Sequence, residues 1–285
     1  MTAVEGRIRR AAAAAGPSPT GSLTSALAAL VRRDLRAEPL LRIPVLLDLA
    51  FATVNLAVFL LISRFLGTPG RGAVGPSHDY FAYVAVGITF MLVIQAATIQ
   101  LTKRVTAEQR SGTLEMLAAQ PISPGGLAVG LAGYPFLMAA LRATIYLAVL
   151  GPLLGLRVRH TDWLGVVVLL VAGCAAIAGI GIILMALSIA VGHGDATARV
   201  TVVALTFLSG TYFPVDVLPP VLQPLAEPLP SRLALDGLRA AVSGADWTGD
   251  ALALLGIALV LLPPSIWVFG RALRLAAKRG ILTRD

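Results

Sequence analysis

Charge is scarce in this chain. Only 13% of its 285 residues are charged and 57% are hydrophobic, whereas soluble domains carry about 25% charged residues. That balance excludes an ordinary water-soluble globule and implies an integral membrane protein. Lysine is rarer still. Lys103 and Lys278 are the only two, so the net charge of +8 is nearly all arginine. A phosphate-cradling P-loop needs Gly-Lys-Ser/Thr, and neither lysine follows a glycine, so the sequence carries no such ATP site. A single cysteine, Cys174, excludes a disulfide within the chain. His78, His160 and His193 are the only histidines and fall in three separate connections, which excludes a conventional histidine metal site. The aspartates are dispersed, with no acidic pair of the kind that holds a magnesium diphosphate. No nucleophile-elbow glycine pattern occurs. No catalytic, cofactor-binding or metal-binding residue is therefore assigned, and the chain is read as not an enzyme.

Long apolar runs are what the sequence has instead. About 20 apolar residues span a hydrocarbon core of roughly 30 Å, and six runs qualify: residues 44–66, 80–101, 127–150, 163–191, 195–213 and 250–269. The expected fold is all-α, with six transmembrane helices; Pro263-Pro264 should kink or break the sixth. Basic residues could mean a nucleic-acid partner, but that needs a basic face on a soluble module. Here the arginines collect at the ends of the apolar runs. With an even number of crossings, sixteen basic residues fall on the side of the termini and six on the other, while Arg142 lies within a crossing. The positive-inside rule then makes both termini cytoplasmic in a plasma (inner) membrane.

Residues 1–21 are not expected to act as a signal peptide: Arg7, Arg9 and Arg10 could serve as its basic start, but the alanine run 11–15 is too short and too weakly apolar for a hydrophobic region. A disordered cytoplasmic tail is expected there, with the transmembrane domain occupying residues 22–285. Residues 22–37 carry Leu23, Leu27, Leu30, Val31 and Leu35 on one arc with Arg32, Arg33 and Arg36 opposite, interrupted by Asp34. That pattern suits an amphipathic helix in the inner interface; a helix in the cytoplasm is the alternative.

Two connections are chemically distinctive. Between the second and third runs lies EQRSGTLEMLAAQPIS, residues 108–123. Thr106 with Gln109 three residues on is a possible capping box that starts a short helix at the membrane surface. Gly112 offers a break, and Pro121 and Pro124 should end the helix before the third crossing. A solvated loop is the plain alternative; a lever that docks into a soluble partner is the functional reading. The second connection follows the fifth run. Pro214, Pro219, Pro220, Pro224, Pro228 and Pro230 forbid one continuous helix, yet Val215, Val217, Leu218, Val221, Leu222, Leu225 and Leu229 are too apolar for a free loop. Short helices dipping into the outer leaflet reconcile the two, and an external folded cap is the alternative. Arg142 is the one charge deep in a predicted helix. Its insertion cost of at least about 2.5–3.5 kcal/mol requires protein, water or a counter-charge beside it, with Asp48 or a helix carbonyl as candidates.

Residues 108–123, placed after a second membrane helix, resemble the signature of type-2 ABC transporter permeases. Residues 209–244, SGTYFPVDVLPPVLQPLAEPLPSRLALDGLRAAVSG, are similar to the segment in which that family's fifth helix ends at Phe-Pro and enters a proline-rich extracellular excursion. The resemblance covers roughly residues 27–278. It implies an exporter permease that pairs with a second permease, as homodimer or heterodimer, and with separately encoded ATPase subunits that bind the ATP and magnesium. Lipids are the surrounding partner, and nucleic acid is not expected. It also implies a coupling helix seated in the ATPase, with Glu108, Arg110, Gly112, Thr113, Glu115 and Pro121 as the coupling residues. An outer gate of paired re-entrant helices is implied as well, at Tyr212, Phe213, Pro214, Asp216 and Pro219. Hydrophobic drugs, lipids, glycolipids and natural products all fit as substrates. An ion-gradient transporter and a non-transporting scaffold are the alternatives. The excess of Ala and of Arg over Lys points to a GC-rich bacterial genome.

Overall fold

The computed structural model describes residues 50, 53–62, 80–118, 123–153, 156, 160–191 and 194–279. Every element among them is helical, and they include no strand. Helix α1 is Thr53–Ile62, inside the first predicted run, and α2 is Tyr80–Arg110. A short α3, Thr113–Ala118, follows. Then come α4, Pro124–Leu153, α5, Trp163–Val191, and α6, Gly194–Leu208. The proline-rich segment breaks into a 3₁₀ turn at Val215–Val217, α7 at Gln223–Ala226 and α8 at Pro230–Ser243. Helix α9 is Thr248–Arg279. Helices α2, α4, α5 and α9 are each long and apolar enough to cross a bilayer; α1 and α6 are apolar but shorter.

Helix α5 is the central strut. It carries no charged side chain, packs along α9 for most of its length, and also touches α2, α4, α6 and α8. Burial of Leu169, Leu170, Ala176, Ile177, Met185 and Ile189 fastens it to its neighbours. Small residues permit the closest approaches, as at Gly181 against the Ala97 carbonyl of α2. Of the four long helices α2 is the most interior and α9 the most exposed.

Several helix limits differ from the sequence expectation. Helix α2 does not stop at the membrane edge near Leu101. It continues through LTKRVTAEQR to Arg110, because those residues favour helix whether or not lipid surrounds them. The expected capping box is absent: Thr106 sits mid-helix, where its hydroxyl donates to the Thr102 carbonyl at 2.9 Å. Pro124 does not end a helix but opens one. It occupies the first turn of α4, where a missing N–H costs nothing, and the Ser123 hydroxyl caps that turn by accepting from the Gly126 N–H at 3.1 Å. Helix α9 runs unbroken through Pro263-Pro264 and on to Arg279, ten residues past the expected end. The expected fifth helix stops at Leu208 rather than Phe213. The amphipathic segment 22–37, the tail 1–21, Asp48 and Pro121 lie outside the described residues.

Contacts between elements define two ends of the bundle. Gly270 of α9 meets Pro124, and Gly194 meets Ser188 and Thr102, at the end where α2 turns into α3. At the opposite end the Asp162 N–H donates to the Ala241 carbonyl at 2.9 Å, and Gly244 lies against the His160 backbone.

Candidate functional site

The first candidate surface is the break between α2 and α3. Helix α2 closes with the Ser111 N–H on the Ala107 carbonyl (3.0 Å) and the Gly112 N–H on the Gln109 carbonyl (3.2 Å). Gly112 then takes φ +71°, a left-handed conformation that residues with a Cβ adopt only at a cost. The turn is fastened by hydroxyls. Ser111 Oγ and Thr113 Oγ1 lie 2.8 Å apart, Thr113 Oγ1 also donates to the Glu108 carbonyl at 3.3 Å, and it bonds the Glu108 carboxylate as well. One acidic side chain thus bridges the end of α2 and the start of α3. In α3, Leu114 is fully buried and anchors the short helix, whereas Glu115 and Met116 point outward, Met116 being 72% exposed. Arg110 is exposed beside them. An open depression of about 600 Å³ lies alongside, lined by Lys103, Thr106, Ala107, Arg110 and Ser111. Of the six residues named for coupling, Glu108, Arg110, Gly112, Thr113 and Glu115 therefore share one surface; Pro121 lies outside the described residues.

The second candidate surface is at the opposite end. After Leu208 the chain turns at Ser209-Gly210, with Gly210 at φ +74°. The turn is seated directly on α2, where Gly87 leaves room for the Thr211 carbonyl that any Cβ would strike. Tyr212 stacks on Phe59 of α1 (centroids 5.4 Å apart) and its hydroxyl meets the Met91 sulfur at 3.3 Å. Phe213 packs edge-on to Phe207 at 5.0 Å. Pro214 precedes the 3₁₀ turn, in which Val215 is buried, while Asp216 and Pro219 are exposed. Gln223 Nε2 closes the segment by donating to the Leu218 carbonyl at 2.9 Å.

What fastens this turn was not among the residues singled out from sequence. Arg239 of α8, only 7% exposed, donates from Nη2 to the Gly210 carbonyl at 2.7 Å. The Tyr83 hydroxyl of α2 donates to the same oxygen at 2.9 Å, and the guanidinium lies 3.5 Å from the Tyr83 ring centre. Asp236, half-exposed on α8, pairs with Arg239 (3.3 Å) and Arg232 (3.5 Å). The buried hydroxyls of Ser209 and Ser231 bond each other. One carbonyl oxygen is thus the meeting point of α2, the α6 turn and α8. The sequence signal was a charged row at helical spacing, Arg232, Asp236 and Arg239, on a short helix.

A further anchor holds α5 and α9 together. Asp162 caps α5, accepting from the Leu164 and Gly165 N–H groups at 3.0 and 3.2 Å, and its other oxygen accepts from the Trp247 indole at 2.8 Å. The Trp247 hydrogen bond, with the Gly165 N–H behind it, holds the Asp162 carboxyl below its ordinary range. Arg142, half-buried on α4, lies within a candidate span as expected; Asp48 lies outside the described residues. Among the described residues no group of three or more His, Cys, Asp or Glu side chains could hold a metal ion.

A family model described as ABC-2 type transporter matches residues 25–242, most of the chain and both candidate surfaces. No curated protein matches the sequence.

Proposed function

Because the chain belongs to the ABC-2 type transporter family, a multi-pass membrane component of an ABC transporter, we propose that it is the permease subunit of an exporter driven by a separate ATPase. Members of this family typically work with an ATP-binding subunit. The α2–α3 break is the coupling surface on the cytoplasmic side, the Ser209–Gly244 segment is the outer gate, and both termini are cytoplasmic. A second permease, identical or not, completes the pathway. A hydrophobic or amphipathic substrate moves outward between the two permeases, and ATP and magnesium are held by the partner alone.

The observation that carries this reading is the continuity of α2. From Tyr83 to Arg110 it is one helical rod of roughly 40 Å, with the Gly210 carbonyl at one end and the Gly112 hinge at the other. A partner that seats Glu115 and Met116 and displaces α3 moves α2, and α2 carries the seat of the outer turn. Midway, residues Ala96–Gln100 form a wider helical turn with hydrogen bonds five residues apart. Such turns mark places where a helix can adjust its register. The polar hinge takes the stroke, the rod transmits it, and the Arg239–Tyr83–Gly210 contact converts it into movement of α8.

Ion-gradient transport needs a coupling charge at mid-membrane. Among the described residues, Arg142 is the one charged side chain near the middle of α2, α4, α5 or α9, and no acidic one stands there. The test is a mild-detergent pull-down of the tagged chain from its native membranes beside a Glu115→Lys variant. A P-loop ATPase that accompanies wild type and is lost from the variant is the expected result. Intact protein without an ATPase in either preparation would remove the exporter reading.

A further inference from the structure

The exposed side of α9 changes character along its length. This helix is the most outward of the four long spans. At its final turns Trp267, Arg271, Arg274, Leu275, Ala277 and Lys278 line an open groove of about 540 Å³ that contains three cations and no carboxylate. The Arg271 guanidinium lies 4.9 Å from the Trp267 ring, and Arg274 Nε donates to the Gly270 carbonyl at 3.2 Å, so two of the cations are held by contacts on the helix itself. Behind them, exposed Gly256, Val260 and Pro263 continue the same line toward the middle of the helix. At about 100° per residue, these three positions, Trp267 and the three cations fall within an arc of about 80°. Gly256 has open space where a side chain would stand, so the track is shallow as well as apolar.

We propose that this stripe binds one anionic phospholipid. Its acyl chains lie along Gly256, Val260, Pro263 and Trp267, and its phosphate sits among Arg271, Arg274 and Lys278. The dimensions agree: Gly256 to Trp267 is roughly 16 Å of helix, close to one leaflet's share of a roughly 30 Å hydrocarbon core. Trp267 stands where an indole favours the boundary between hydrocarbon and headgroup. Three cations without a carboxylate complement a phosphodiester and would repel a second cationic surface.

The test uses the full chain. Lipid retained after incubation with mixed micelles of equal phosphatidylglycerol and phosphatidylcholine is counted by native mass spectrometry. Wild type should retain phosphatidylglycerol preferentially. Arg271→Gln alone should weaken that preference about fivefold, and Arg271→Gln with Arg274→Gln and Lys278→Gln should reduce it by more than about tenfold. Lys103→Gln and Arg199→Gln, at exposed cations on the same end of the bundle, should leave it unchanged. Three results overturn the proposal: equal retention of both lipids by wild type, a preference that survives the triple substitution, or an equal loss in the control variants. If the triple variant sheds a co-purifying protein while its lipid preference stays intact, the groove is a protein contact and the proposal also fails.

Discussion

A single carbonyl oxygen, that of Gly210, accepts from a guanidinium and a phenol belonging to two different helices. Removing either donor leaves the other in place, so the effects should be graded. A hydrogen bond from a charged group contributes about 1.5–3 kcal/mol and a neutral one about 0.5–1.5 kcal/mol. Arg239→Met keeps most of the packing and should lower stability by the larger amount, Tyr83→Phe by the smaller, measured as thermal unfolding in detergent. The double variant should cost less than the sum, since the guanidinium also rests on the Tyr83 ring. Asp162 supports a prediction about pH. Its folded carboxyl titrates below the ordinary value of about 3.9 because of Trp247 and the α5 N–H groups. Its contribution is therefore complete above the unfolded value and disappears as pH falls through the lower folded one. Wild type should be more stable than Asp162→Asn at neutral pH, and the gap should narrow below about pH 4. A constant gap down to pH 2 would remove the electrostatic account.

Among the elements, α5 was legible residue for residue, since an uninterrupted apolar run begins just after a capping aspartate and nothing polar blurs its limits. The C-terminal ends of α2 and α9 were not. Hydropathy reports where lipid ends, whereas backbone helix continues as long as its residues favour it, as in LTKRVTAEQR. Pro263-Pro264 do not break α9: each proline removes one intrahelical bond, but the apolar helix to either side and the packing on α5 keep the helix going through them. The proline-rich segment breaks into short helices, as its six prolines require. Arg239 was missed because its acceptor lies 29 residues away and its aromatic partner on another helix. The hinge carries its own prediction. Gly112→Ala must hold a side chain at φ +71°, which costs about 1 kcal/mol, enough to bias α3 away from its seat. ATP hydrolysis stimulated by the permease should fall with membrane insertion unchanged. At the other end, Gly87→Val drives a branched side chain into the Thr211 carbonyl and should cost about 1–3 kcal/mol or unseat the turn. Protease cleavage within residues 209–229 reports that unseating.

At the scale of the molecule, the fold joins two chemically distinct surfaces through one rod. The hinge surface is polar, with an acidic bridge at Glu108 and an outward pair, Glu115 and Met116. The opposite surface is closed by aromatic stacking and one buried arginine. The membrane-spanning frame is carried by α5 packed on α9, so substitutions at the hinge should change coupling while leaving that frame folded. The most direct test places a photo-crosslinking amino acid at Met116, with Leu225 at the opposite end as the control, in the native membrane. Position 116 should form a covalent adduct with a P-loop ATPase, diminished by Glu115→Lys, and position 225 should form none. An insertion-competent chain that gives no ATPase adduct at 116, or one equally from 225, would contradict docking at the hinge surface.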